Sequence, residues 1–184
     1  GQGGIGLSWG ALNHHIYLGW IVGSNRFDRD FLAAAYQSYQ FPYLYWPVYK
    51  MAISGWSGAW TGIALAKLHL LAVPPVWLLA RTCMGGATLF DFFMRLLAVS
   101  MAFTSAVVLP QFTSTSNDLM AAAPLVWAFA LALEPLNSRG PSWLTQQRAV
   151  VLSGLFAGTA VAFKLSNGPL ALVIMPTMWL LATK

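Results

Sequence analysis

Charge is what this sequence has least of. Only 8% of its 184 residues are charged, the acids number five, and mean hydropathy is +0.62. A soluble domain carries roughly 25% charged residues. Ten Lys and Arg with five Asp and Glu cannot cover a globule of this size, so lipid must act as solvent for much of the surface. Cysteine is nearly absent too. Cys83 stands alone, which excludes an internal disulfide and any cysteine-rich metal pattern, and a lone thiol among apolar residues is ordinarily packing. There is no Walker loop, no GxGxxG and no HExxH. With 58% hydrophobic residues, disorder and coiled coil are excluded as well. The formal charge of +5 comes from basic residues scattered singly, so it makes no nucleic-acid patch; loops on the cytoplasmic side of a membrane collect Lys and Arg. The chain opens on Gly1 with neither an initiator Met nor a signal-peptide pattern, and stops at Lys184 directly after an apolar run. It is expected to be an internal piece of a longer membrane protein.

What is present is a series of apolar runs behind a polar, aromatic opening. The expected fold is an all-α, polytopic membrane helix bundle of about four to five transmembrane helices. Residues 1–57 form a first outer loop with short interfacial helices, and residues 58–184 form the bundle. In the opening, Phe41–Tyr49 packs three Tyr, a Trp and two Pro into nine residues, a composition suited to the headgroup level. Spans are expected at 58–80, 88–109, 119–134, 149–163 and 168–183. The first holds Lys67 and His69, and Pro74-Pro75 should kink it. The second carries Asp91 and Arg95, four apart and placed to pair on one helix face. The last three are short for a hydrocarbon core of roughly 30 Å, so their ends should run into the flanking loops. Gly154 and Gly158 should let a neighbouring helix approach closely.

Loop charge gives the orientation. With residues 1–50 outside the cytoplasm, Arg81, Arg139, Arg148 and Lys184 fall inside, as the positive-inside rule asks. The stretch Gln111–Asp118 and the turn Lys164–Pro169 fall outside. Asp28, Asp30, Asp118, Lys164, His14, His15 and Tyr17 therefore share one face of the membrane.

Several groups on that face carry chemistry. Asn13, His14, His15 and Tyr17 lie close together in sequence. Adjacent histidines should point to different sides of a helix or strand, so a shared metal is not expected. One of them suits a base or a hydrogen-bond donor to phosphate. Residues 26–30 mix Arg26, Asp28, Arg29 and Asp30; this is either solvated surface or a place where a carboxylate is held unpaired and basic. Asp30 also opens the apolar run 31–37 and is placed to cap a helix. Asn117 and Asp118 stand before an apolar helix, again an N-cap pattern. Lys164 closes a glycine-containing helix, where a cation suits the dipole or an anionic lipid phosphate.

The order of these pieces resembles the GT-C class of polytopic glycosyltransferases, which includes protein mannosyltransferases and lipid A aminoarabinose transferases. Residues 154–172, GLFAGTAVAFKLSNGPLAL, are similar to the glycine-rich helix, Lys and Gly-Pro segment of those enzymes. SWGALNHHIYLGW (8–20), with RFDRDFLAAAYQSYQFPYLYWP (26–47) after it, looks like the first outer loop of uncharacterised bacterial members. The resemblance implies a multi-pass protein of the bacterial inner membrane. It implies transfer of a sugar from a polyprenyl-phosphate-linked donor to an acceptor, not identified, at the extracytoplasmic face. Asp30 or Asp28, with His15, would take the catalytic part. Lys164, Asp118, His14, Tyr17 and Asn13 would face the donor and its phosphate. A divalent metal could assist the phosphate but is not required. One position departs from the pattern: an acid is expected directly after Trp9, where this chain has Gly10. Asp28 or Asp30 then supplies the carboxylate, or activity is lost, or another residue is the natural one. Outside the resemblance, a transporter or flippase subunit using Lys67, His69, Asp91 and Arg95, and a non-catalytic membrane scaffold, are the rival readings.

Overall fold

The computed structural model describes residues 9–182, apart from 25, 27, 32, 38–39 and 137–143. Arg139 and Lys184 lie outside the described residues. Among the described residues the fold is all-helical but for one four-residue strand, β1 (Ala33–Tyr36). The expected helix after Asp30 is thus replaced by extended chain. The helices are α1 (Ile16–Ile21), α2 (Trp46–Ile53), α3 (Gly58–His69), α4 (Val73–Cys83), α5 (Leu89–Thr104), α6 (Asp118–Leu133), α7 (Gln146–Phe163) and α8 (Met175–Ala182). Two compact units interleave along the chain. One comprises residues 1–69 and 110–120, the other 70–109 and 121–184.

In the first unit, α1 packs on α2 through Gly19. A Cβ at Gly19 would sit 2.7 Å from the Tyr45 carbonyl oxygen and collide with Cβ of Tyr49. Backbone cannot step aside as a side chain can, so Gly19→Ala is expected to destabilise by about 3 kcal/mol, the upper end of ordinary overpacking. Thermal unfolding of the full-length protein in detergent checks this; unchanged stability would show that the close packing is not required.

Residues 58–83 form one helical run of 26 residues, in which an 18-residue stretch has a mean hydropathy of 1.8, long and apolar enough to cross a membrane. The apolar helices Asp118–Leu133 and Leu165–Leu180 are shorter. Within the 58–83 run, a 3-10 turn at Leu70–Ala72 separates α3 from α4, and Pro74 and Pro75 occupy the first turn of α4, where a missing N–H is tolerated. Pro75 still leaves the Leu71 carbonyl without its usual i+4 donor. The indole N–H of Trp127 on α6 fills that vacancy at 3.1 Å. Trp127→Phe keeps the stacking on Phe156 (5.9 Å between centroids) and removes only the donor. It is expected to cost about 0.5–1.5 kcal/mol, read as a lowered unfolding midpoint; an unshifted midpoint would mean that another donor serves Leu71.

The second unit also corrects the expected Asp91–Arg95 pair. Asp91 closes a capping box with Thr88 at the start of α5, while Arg95 donates to the carbonyls of Met84 and Gly86 beyond the end of α4. Helix α5 ends at Thr104, not 109. Ser105 turns the chain there by accepting from the Val108 N–H, 3.3 Å, as serine does in competition with helix. Helix α6 matches its expected bounds within a residue. Helix α7 begins three residues early because Thr145 caps it, accepting from the Arg148 N–H.

The core of this unit is alanine-rich: Leu125, Ala128, Ala132, Ala157, Ala160, Ala171 and Met175. Those alanines, not the glycines, carry the close helix contacts. A Cβ on Gly154 would meet only the Trp179 ring at 3.7 Å, and one on Gly158 would meet nothing within 4 Å. Two further polar links involve Glu134 and Asn167. Arg81 Nη2 donates to Oε1 of the buried Glu134 at 2.6 Å. Asn167 Nδ2 donates to the carbonyls of Ala121 (3.0 Å) and Ala160 (2.9 Å), tying the turn before Pro124 to the end of α7.

Candidate functional site

The polar centre of the first unit grows from the segment Ala11–His15, which winds as a π-helix into α1. The wider turn changes the expected geometry. His14 and His15 do not diverge: both are buried, and their ring centroids lie 4.4 Å apart at 79°. His15 stacks on Tyr45 (4.8 Å, 20°) and His14 meets the same ring edge-on (6.1 Å, 77°). Gly10 permits this closure. A Cβ there would stand 3.1 Å from Cε1 and Nε2 of His15 and 3.3 Å from Cε1 of His14, so an acid at position 10 would have to displace both rings. π-turns of this kind recur at functional sites.

Three residues of the 111–118 stretch reach this centre. Thr115 Oγ1 is 2.7 Å from His15 Nδ1, a buried bond spanning 100 residues of sequence. Asn117 hydrogen-bonds the Tyr45 phenol, and the Asp118 charge acts on it. Tyr45 in turn donates to Gln40 Oε1 at 3.0 Å. Burial first, and the Asp118 charge second, push the Tyr45 phenol well above its ordinary value, with the Asn117 bond opposing. Tyr45 is therefore a neutral hydroxyl throughout the physiological range. Asp118 opens α6 on the exposed side of the cluster and accepts from Ser116 Oγ at 2.5 Å.

Asp30 lies in a different setting from the unpaired, basic one considered for it. Arg26 grips its carboxylate with two bonds, Nε to Oδ2 at 2.5 Å and Nη2 to Oδ1 at 2.7 Å, and Tyr17 adds a third at 3.4 Å. Arg26 also lies over the Trp20 ring, 5.4 Å from its centroid. The Arg26 bond holds the Asp30 carboxyl below its ordinary value of 3.8, against the opposing effect of desolvation. A depressed folded value means the pair contributes stability above about pH 4 and loses it as pH falls through the folded pKa. In a carboxyl NMR titration, Asp30 should titrate below pH 3.8 and return toward it in Arg26→Met. An ordinary titration in the native chain would show that the ion pair does not form.

Asp28 is exposed, and Asn13 is half-buried on the π-helical segment. Lys67 is exposed on α3. Lys164 belongs to the second unit. It stands at the end of α7 in extended conformation, its N–H donating to the Ala160 carbonyl, the helix-terminal place its sequence context suggested. Among the described residues no three His, Cys, Asp or Glu side chains gather as a metal site needs.

Three members of the cluster escape a reading by motif. Tyr45 lies inside an aromatic run whose composition points to the headgroup level, and nothing in its spacing separates it from Tyr43 or Tyr49. Thr115 and Asn117 sit in a polar stretch; their period-two alternation, with both side chains buried, is the one local signal available. No protein family, curated protein or solved structure matches the chain.

Proposed function

We propose that this chain is part of a multi-pass membrane glycosyltransferase of the GT-C kind, acting at the extracytoplasmic face of a bacterial inner membrane. The observation that carries the reading is the His15–Thr115 bond. It joins the first-loop segment to the 111–118 stretch, two segments that the loop charges independently assign to the same side. Lipid as the surrounding solvent is supported by α5, whose exposed side chains include Leu89, Phe90, Phe93, Leu97 and Met101; contiguous apolar surface of that kind marks a membrane or partner contact. The aromatic belt fits as well: Lys50 lies 5.6 Å over the Trp46 ring, with Trp56 and Trp60 exposed nearby in sequence.

In the proposed reaction the bond between the sugar's anomeric carbon and the carrier's phosphate oxygen breaks. A new bond forms from that carbon to an acceptor hydroxyl oxygen. The phosphate leaves with the electron pair, and imidazole N–H groups of His14 and His15 stabilise the charge as it develops. The acceptor proton passes to Asp118, the exposed carboxylate of the cluster. Asp30 is a poorer base because Arg26 engages both its oxygens. The groups given a chemical part all belong to the first unit.

The test uses membranes holding the full-length protein and radiolabelled polyprenyl-phosphate-linked glucose or mannose. Asp118→Asn should reduce transfer by at least about 100-fold, and Asp30→Asn by much less. The reverse order would move the base to Asp30, and absence of transfer by the native protein with every donor tried would contradict the reading.

A further inference from the structure

Two buried acceptors in the first unit have no donor among the described residues. His69, the last residue of α3, is 1% exposed. Its Nδ1 lies 3.1 Å from the Phe112 carbonyl oxygen. A carbonyl only accepts, so Nδ1 carries the proton and Nε2 of the neutral ring presents a lone pair. That Nε2 is buried without a partner, and so is Oε1 of Gln111, the residue preceding Phe112. Native interiors fill such groups with protein, water or ligand, because leaving them dry is costly.

Their surroundings point to a ligand. The buried stripe Thr61, Leu65 and His69 of α3 runs beside the 3-10 turn Leu109–Thr113, held by the His69–Phe112 bond and by Gly62, whose Cβ position is 3.8 Å from Thr113. Three residues beyond Phe112, Thr115 bonds His15. One short stretch of irregular backbone thus leads from the histidine–tyrosine cluster to the two empty acceptors. Beside an apolar helix long enough to cross a membrane, irregular backbone is tolerated where it is covered by protein or lines a polar cavity. Both acceptors are neutral, which suits an O–H donor better than a cation, whose burial needs a counter-charge.

We propose that His69 and Gln111 form a hydroxyl-binding subsite, accepting hydrogen bonds from the O–H groups of a sugar head. The acceptors stand on their own geometry; the identity of the ligand as the donor's sugar rests on the glycosyltransferase reading. The same O–H chemistry is available from a structural water, and the experiment separates the two sources.

The full-length protein is placed in nanodiscs. Methyl glucoside, which offers hydroxyls without phosphate or lipid, should raise the unfolding midpoint of the native protein and not that of Gln111→Leu or His69→Phe. The same variants should weaken binding of undecaprenyl-phosphate-glucose roughly tenfold and leave binding of undecaprenyl phosphate unchanged. Protection of native protein and variants alike, or of none, would assign the acceptors to structural water and overturn the subsite. Native protein protected by methyl glucoside yet binding neither carrier would contradict the glycosyltransferase reading and leave the subsite standing. Gln111, half-buried in the 3-10 turn while His69 is fully enclosed, keeps the result readable should His69→Phe fail to fold.

Discussion

Replacing Arg81 with leucine is expected to destabilise the second unit by about 3 kcal/mol, among the largest single effects in the chain. Glu134 is almost fully enclosed, its side chain 2% exposed, and Arg81 is the partner of Oε1. Its other oxygen, Oε2, already lacks a partner among the described residues. Removing the guanidinium leaves a buried carboxylate with neither oxygen served by a cation among those residues, and that uncompensated charge is the source of the cost. Arg81 itself is 36% exposed, which places the effect at the low end of the usual range of about 3–5 kcal/mol. The double variant Arg81→Leu with Glu134→Leu should recover most of the loss, since a buried pair replaced by apolar side chains is often neutral. Unfolding midpoints of the four proteins of that cycle decide the point. A single Arg81→Leu variant as stable as the native chain would show that solvent reaches Glu134.

His15→Ala is expected to lower sugar transfer by about 100- to 1,000-fold, the range typical for loss of one donor to a developing negative charge. The imidazole is fixed on two sides, by Tyr45 stacked at 4.8 Å and by Thr115 at 2.7 Å. Thr115→Val keeps the volume and removes the hydroxyl partner. It should leave the ring in place but release its tautomer, with a smaller fall of about tenfold and a shifted pH–rate profile. Comparing kcat and KM across the two variants separates the roles: a group acting on developing charge changes kcat more than KM. Equal activity of His15→Ala and the native protein would remove the histidine from the mechanism and leave the cluster a structural one.

Much of the helical plan is legible in the sequence because helix starts are chemically marked. Asp118 opens α6 before an apolar run, and Lys164 followed by Gly168-Pro169 marks the end of α7; the start of α7 is the exception, because its cap, Thr145, stands ahead of the apolar run among polar residues. Helix termini set by competing side chains are less legible. Asp91 and Arg95 have ideal spacing for an ion pair, yet the cap to Thr88 and the bare carbonyls of Met84 and Gly86 win both side chains. An i,i+4 pair contributes only a few tenths of a kcal/mol, less than satisfying several chain-end groups.

The site is legible in part. His14, His15 and Asp118 stand out by residue type and by the single membrane face on which the loop charges are expected to place them. Their convergence depends on a π-turn and on the absence of a side chain at Gly10, and neither leaves a periodic signal. Tyr45, the ring on which both histidines rest, is hidden among aromatic neighbours with the same composition. Asp30 illustrates the opposite case: the sequence 26–30 contains both its charge and its partner four residues away, but residue types alone do not tell a gripped carboxylate from a basic one.

In the proposed reaction a sugar leaves a polyprenyl phosphate at the His15–Tyr45–Asp118 cluster. Purified full-length protein in nanodiscs, given undecaprenyl-phosphate-linked sugars labelled in the lipid together with an extract of candidate acceptors, tests it by the appearance of free undecaprenyl phosphate. Release that depends on acceptor and disappears in His15→Ala and Asp118→Asn is the predicted result. No release with any donor, or release equal in the native protein and both variants, would contradict it.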